Sequence, residues 1–107
     1  MKILVDADAC PVKIEIERVA TRNKIDVFLV SNSGLRPILH PFVKNIFVSS
    51  DAGAADKWIV DNGYLNDLVI TADIILADNC IKKEMLVLKP NGEELNQANI
   101  GNSLSLR

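Results

Sequence analysis

Two carboxylates one residue apart, Asp6 and Asp8, directly follow the apolar run Ile3-Leu4-Val5. A third, Asp73, ends a similar phrase, Leu68-Val69-Ile70-Thr71-Ala72-Asp73, and Asp8 falls in step with it when the two are aligned. If the two runs are neighbouring strands, acids from both meet at one edge. Carboxylates that close repel one another unless a cation joins them or one keeps its proton. An all-oxygen cluster of that kind suits Mg²⁺ or Mn²⁺. Ions so held activate water and neutralise the charge of a transferring phosphate.

The elements that must carry these acids follow from the pattern around them. An unbroken apolar run reads as a strand covered on both faces, at the centre of a parallel sheet. Pro11, after Cys10, opens a helix without losing a needed N–H. Val12, Ile16, Val19 and Ala20 recur at helical spacing, with Lys13, Glu17 and Arg18 opposite, and Asn23 is a stop. Residues 25–30 read as a second strand and 45–49 as a third, joined by an extended stretch carrying Pro37, His40 and Pro41. Asp51 is placed to cap a helix over 54–61, with Ala55, Trp58 and Ile59 inward and Gly63 at its C-terminal end. A third helix over 74–83 turns Leu76, Ala77, Cys80 and Ile81 inward, and residues 85–88 form a last strand. Pro90-Asn91-Gly92 turns, and 94–106 reads as a final helix weakened by Gly101 and Asn102. Strands alternating with helices give a three-layer α/β fold, a mostly parallel sheet with helices on both faces. In such sheets ligands bind beyond the carboxyl ends of the strands.

Composition narrows the function classes. The 107 residues suit one domain, nearly half apolar (49%) and so globular. A net charge of −2 and a pI near 5.3 lack the strong basic balance of a tight nucleic-acid binder, though a local basic patch remains open. Cys10 and Cys80 have no Cys-x-x-Cys spacing, which excludes the usual zinc and disulfide frames. No apolar stretch approaches the ~18 residues of a membrane span, and the first apolar run stops at the acids. The expectation is a soluble cytoplasmic protein with no membrane partner, with oligomerisation left open.

Taken one at a time, most of the acids have a structural explanation. Asp6 or Asp8 can cap the first helix, but not both. Asp73 can cap the third. Asp56, inside a helix, can be a solvated surface acid, and Asp78 can pair with Lys82 at i,i+4. Cys10 reads as packing rather than a nucleophile, because neighbouring acids oppose a thiolate. His40 reads as a loop or surface residue. The repetition of the strand-acid phrase is what favours a shared site.

Val5-Asp6-Ala7-Asp8-Ala9-Cys10-Pro11-Val12, then Ala55-Asp56 followed by Trp58-Ile59-Val60, then Asp67-Leu68-Val69-Ile70-Thr71-Ala72-Asp73-Ile74, occur in that order over nearly the whole chain. Together they resemble the YaiI/YqxD family of uncharacterised bacterial proteins, which itself resembles PIN-like (NYN-type) nuclease domains. The resemblance implies a single PIN-like α/β domain over 1–107. It also implies a catalytic and metal-binding role for Asp6, Asp8, Asp56 and Asp73 with Mg²⁺ or Mn²⁺, and places Asn32 at the same edge. Ile75 stands where the family usually has proline. Family members usually continue past the point where this chain ends, and Leu104-Ser105-Leu106-Arg107 reads as the start of a further segment.

The expected function is a divalent-metal-dependent phosphodiesterase, a ribonuclease acting on single-stranded RNA. Lys13 and Arg18, with Arg36 or Lys44, would guide the backbone. Few aromatics are available to stack bases, so sequence preference should be weak. Two alternatives stand beside it. One is a non-catalytic nucleotide- or RNA-binding module. The other is a phosphatase of the haloacid dehalogenase type with Asp6 and Asp8 as nucleophile and general acid, for which the chain is short and the usual hydroxyl after the pair is not evident.

Overall fold

The apolar runs pair into one six-stranded sheet, and the acid phrases land on its two central strands. The computed structural model describes residues 1–9, 13–32, 39–51 and 53–101, without the side chains of 9, 13 and 14. In chain order the elements are β1 (Ile3–Asp6), a 3-10 turn (Ala7–Ala9), α1 (Lys13–Asn23), β2 (Val27–Ser31), β3 (Val43–Phe47) and α2 (Ala54–Asn62). They continue with β4 (Leu68–Ile70), α3 (Ile74–Lys82), β5 (Leu86–Leu88) and β6 (Glu94–Leu95). The strand order is β3-β2-β1-β4-β5-β6, parallel except for β6. From β1 the chain winds outward through β2 to β3, then crosses back to β4 and winds the other way. The reversal falls between β1 and β4, with Val5 beside both Leu29 and Ile70.

Alternation along β1 divides the core between two layers. Ile3 and Val5 face α1, whose Ile16 and Ala20 close over them with Val27, Leu29 and Ile70. Leu4 faces the other way, under Ala55 and Ile59 of α2 and Leu76, Ala77, Cys80 and Ile81 of α3. All four residues of β1 are buried, as a central strand requires. The inward stripe of α3 is the one the sequence spacing predicts. On α1, Ile16 and Ala20 are buried but Val19 is 47% exposed, and Val12 lies outside the described residues.

Three expectations are corrected. Residues 94–95 are a strand, not the start of a helix. The edge of β5 offers unpaired backbone groups, and the turn at Gly92 (φ +91°) brings Glu94–Leu95 back to take them. Asn96 then accepts the amides of Ala98 and Asn99, and helix begins only at Ile100. Asp51 does not cap α2. Gly53 occupies that position at φ +79°, and the Asp51 side chain accepts from Ser49 instead. The third strand begins at Val43, two residues before the expected start.

At the opposite end of the sheet from the acids, Asp67 ties β4 to the start of β1. It is 4% exposed. It accepts from Lys2 Nζ at 2.6 Å, Tyr64 N at 2.8 Å and Lys2 N at 3.1 Å. Burial pushes its carboxyl up, but these bonds and the Lys2 charge outweigh that and leave it below the ordinary range. Its contribution to stability is therefore present above the unfolded value of 3.8 and lost as pH falls through the lower folded value. Asp67→Asn should lower stability at pH 7 by about 1.5–3 kcal/mol, the worth of a charge-assisted bond. Urea unfolding should show the gap from wild type closing in acid.

Candidate functional site

At the carboxyl ends of β1 and β4 the chain can only turn away, and the residues that do so are the acids. Asp6 is the last residue of β1 and is 8% exposed. Thr71, fully buried, follows β4 and donates its hydroxyl to Asp6 Oδ2 at 3.0 Å. The same hydroxyl accepts the Asp73 N–H at 3.0 Å. Asp73 Oδ1 caps α3 by accepting from Ile75 N at 2.9 Å and Leu76 N at 3.2 Å. So the capping explanation of Asp73 holds, and it leaves Asp73 beside its neighbours rather than removing it from them.

Asp56, in the first turn of α2, faces the same corner from across the sheet edge, near enough for the charges of Asp73 and Asp6 to act on its carboxyl. Burial and the Asp73 and Asp6 charges push the Asp56 carboxyl up. Burial also pushes up Asp6, against the Thr71 bond and with the Asp73 and Asp8 charges. Asp8 lies on the exposed side, in the 3-10 turn. Its Oδ1 accepts from Ser31 Oγ at 3.0 Å and its Oδ2 from Asn32 N at 2.7 Å, fixing the turn after β1 to the end of β2.

The structure thus brings Asp6, Asp8, Asp56 and Asp73 to one edge, with Asn32 beside Asp8 through its backbone N–H. The basic residues are placed differently. Lys13 opens α1, its side chain outside the description, and Arg36 and Cys10 lie outside the described residues. Arg18 lines a shallow pocket with Thr21, Arg22 and His40. Phe42, two residues on, accepts the N–H of Val27 at 2.7 Å, which places that pocket by the amino ends of β2 and β3. Lys44 is likewise early in β3 and pairs with Asp26 at 3.9 Å. Neither Arg18 nor Lys44 is brought to the acidic edge. His40 bonds Thr21 through Nε2 at 2.8 Å and accepts the Phe42 N–H on Nδ1 at 3.1 Å, a structural role. Cys80 is fully buried, and burial with the nearby Asp56 charge pushes its thiol up to about 12, so it is packing. Sequence reasoning missed Ser31 and Thr71. Each is a hydroxyl placed directly after an apolar strand, and that position was the available signal.

The donor set, carboxylate oxygen throughout, fits a hard divalent cation. The arrangement is less complete. Among the described residues no group of three His, Cys, Asp or Glu side chains is gathered closely enough to hold a metal ion.

The family model described as "Uncharacterized BCR, YaiI/YqxD family" matches residues 4–107. The chain belongs to that family. It is 53% identical over 105 residues to a UPF0178 protein of Cereibacter sphaeroides, covering 98% of this chain and 65% of the relative. It is 51% identical over 105 residues to one of Roseobacter denitrificans (98% and 70%). It is 50% identical over 106 residues to one of Agrobacterium fabrum (99% and 69%). The chain therefore spans about two thirds of the length of these relatives, 65% of the Cereibacter protein. No solved structure matches it. Among the described residues, no helix is long and apolar enough to cross a membrane.

The raised Asp6 and Asp56 carboxyls have a consequence for stability. Between the unfolded value of 3.8 and their higher folded values the folded chain holds more protons. Stability must then fall as pH rises through that window. Asp56→Asn removes one of the crowded charges while keeping the shape of the side chain. It should raise the metal-free unfolding midpoint at neutral pH and flatten its decline above pH 3.8, as thermal melts in chelator would show. A lower midpoint at every pH would mean that crowding is not what the Asp56 carboxyl feels.

Proposed function

We propose that the chain carries the catalytic edge of a divalent-metal-dependent phosphodiesterase that acts on single-stranded RNA. The observation behind this reading is the gathering of Asp6, Asp56 and Asp73 at the reversal of the sheet, where burial and their mutual charges push the Asp6 and Asp56 carboxyls up. A cluster whose charges resist one another is relieved by a cation more readily than by any described residue. Asp6, Asp8, Asp56 and Asp73 would hold Mg²⁺ or Mn²⁺. The ion would supply activated water and neutralise charge on the phosphate.

The protein's own part is positioning. Thr71 fixes Asp6 and the backbone of Asp73 through one hydroxyl, and the Ser31 and Asn32 bonds orient Asp8. The PIN-like resemblance and a cytoplasmic setting fit the same reading. The phosphatase alternative fits the geometry less well. A nucleophilic carboxylate must be ionised and open to its substrate, whereas Asp6 is buried, biased toward its proton and bonded to Thr71. The non-catalytic nucleotide- or RNA-binding module keeps one observation in its favour, the lack of three gathered ligands among the described residues.

The test is purified protein against end-labelled single-stranded RNA with Mn²⁺ or Mg²⁺. Cleavage should stop in chelator, and Asp6→Asn and Asp73→Asn should each remove most of it. Thr71→Val, which removes only a partner of the acids, should cost about 10–100-fold. Equal cleavage by wild type and Asp73→Asn would mean a contaminating nuclease. Metal-dependent RNA binding with no cleavage by any form would favour the binding module.

A further inference from the structure

The two faces of the sheet are unequally covered, and the handedness of the crossovers is the reason. Parallel strands join by right-handed connections. The step from β1 to β2 puts α1 on one face. The steps from β3 to β4 and from β4 to β5 run the other way along the sheet and put α2 and α3 on the opposite face. On that second face the strands are sealed, with Val69 0% and Val87 1% exposed. The alternate residues Leu68, Ile70, Leu86 and Leu88 turn to the α1 face, in register with Ile3 and Val5. Among the described residues α1 is the one helix there, and its Ile16 and Ala20 pack chiefly over β1 and β2. Leu86 is left 49% exposed, and Leu68 and Leu88 are half-buried.

Val19, the apolar residue of α1 that stays exposed, borders the same gap. With Glu15 one turn before it, and with Leu68, Ile70 and Leu88, it lines a cavity of about 250 Å³. Charge enters that lining only through Glu15 and Lys89, and Lys89 is paired with Glu93 at 3.4 Å. A largely apolar floor of this kind suits an amphipathic element rather than a charged ligand. The gap also has the width of a helix. The mid-line of β4 and β5 lies two strands from that of β1 and β2, ~10 Å at the usual strand spacing. Helices pack side by side at about 8–10 Å. On the other face α3 already packs on β5 in the equivalent place.

The longer relatives carry the chain to fill it. The Cereibacter, Roseobacter and Agrobacterium proteins match this chain over 98–99% of its length, yet the match takes up 65%, 70% and 69% of theirs. About a third of each lies outside it, and a helix of the usual ~11 residues needs only part of that. Within one polypeptide such a helix closes the face at high effective concentration, without the cost of bringing two molecules together. We propose that the α1 face of β4 and β5 is the docking surface for an amphipathic helix from the part of the longer relatives that lies outside this match. Its apolar stripe covers Leu68, Leu86 and Leu88 and packs beside Val19. This inference is independent of the ribonuclease reading.

The test compares this chain with the full-length Cereibacter relative by hydroxyl-radical footprinting read by mass spectrometry, corrected for the intrinsic reactivity of each residue type. In this chain Val19 and Leu86 should be oxidised nearly as readily as Leu65, which is 61% exposed. In the relative the positions aligned with Val19 and Leu86 should be protected severalfold. Equal oxidation in the two proteins would overturn the proposal. So would protection of Val19 and Leu86 in this chain, which, if lost on dilution, would make a second copy the cover. Leu86→Lys gives an independent reading. It should leave the thermal midpoint of this chain nearly unchanged, because half of the side chain is already in water, and the equivalent change should lower that of the relative by several degrees. Equal shifts in the two would contradict a buried helix contact.

Discussion

Mutual repulsion of carboxylates at the reversal of the sheet is the constraint on which the rest of this structure turns. A parallel sheet that winds one way from β1 and the other way from β4 leaves a crevice where the two chains part, and this sequence fills it with acids. Holding them there takes specific partners. Thr71 reaches Asp6 and the Asp73 backbone with one hydroxyl, α3 offers two amides to Asp73, and β2 ends in a hydroxyl and an amide for Asp8. Asp56 faces the charges of both Asp73 and Asp6, and burial with those charges pushes its carboxyl up.

The opposite edge shows what the same residue type does when its charge is answered. Asp67 is more buried than Asp6, yet Lys2 and two backbone amides hold its carboxyl below the ordinary range and make it a staple between β1 and β4. Lys2 also lies 4.5 Å from the centre of the Tyr64 ring, which helps fix its ammonium. Stability is gathered at the amino ends of the central strands, and unrelieved charge at their carboxyl ends. That polarity is what a ligand site at the carboxyl edge requires.

Much of this was legible in the sequence, for reasons that can be named. The central strands announce themselves because burial on both faces leaves no polar alternation, and the inward stripe of α3 follows from spacing alone. β6 was not legible. Two residues cannot signal a strand, and Glu94–Leu95 becomes one only because β5 offers an open edge. The start of α2 depends on a left-handed glycine rather than on the nearby Asp51. Arg18 reads in the sequence as a guide for a substrate backbone together with Lys13. But α1 runs away from the acidic edge at ~1.5 Å per residue, so five residues carry it about 7–8 Å down the sheet. Asp56 looked like a surface acid by itself, and only the family resemblance pointed to it. What places it is how α2 crosses the sheet, which no local pattern encodes.

The central claim is that these acids act as one site whose natural relief is a cation. Cation binding must then act against the burial and mutual charge that push the Asp6 and Asp56 carboxyls up, and release the protons they hold in mild acid. Calorimetric titration of metal-free protein with Mn²⁺ at mildly acidic pH, repeated in buffers of different ionisation enthalpy, measures both at once. One site should appear with net proton release. Asp73→Asn should abolish binding, and Asp56→Asn should weaken it and remove most of the proton release. Mn²⁺ binding that is undiminished in Asp73→Asn and releases no protons, or no binding by wild type at all, would contradict it.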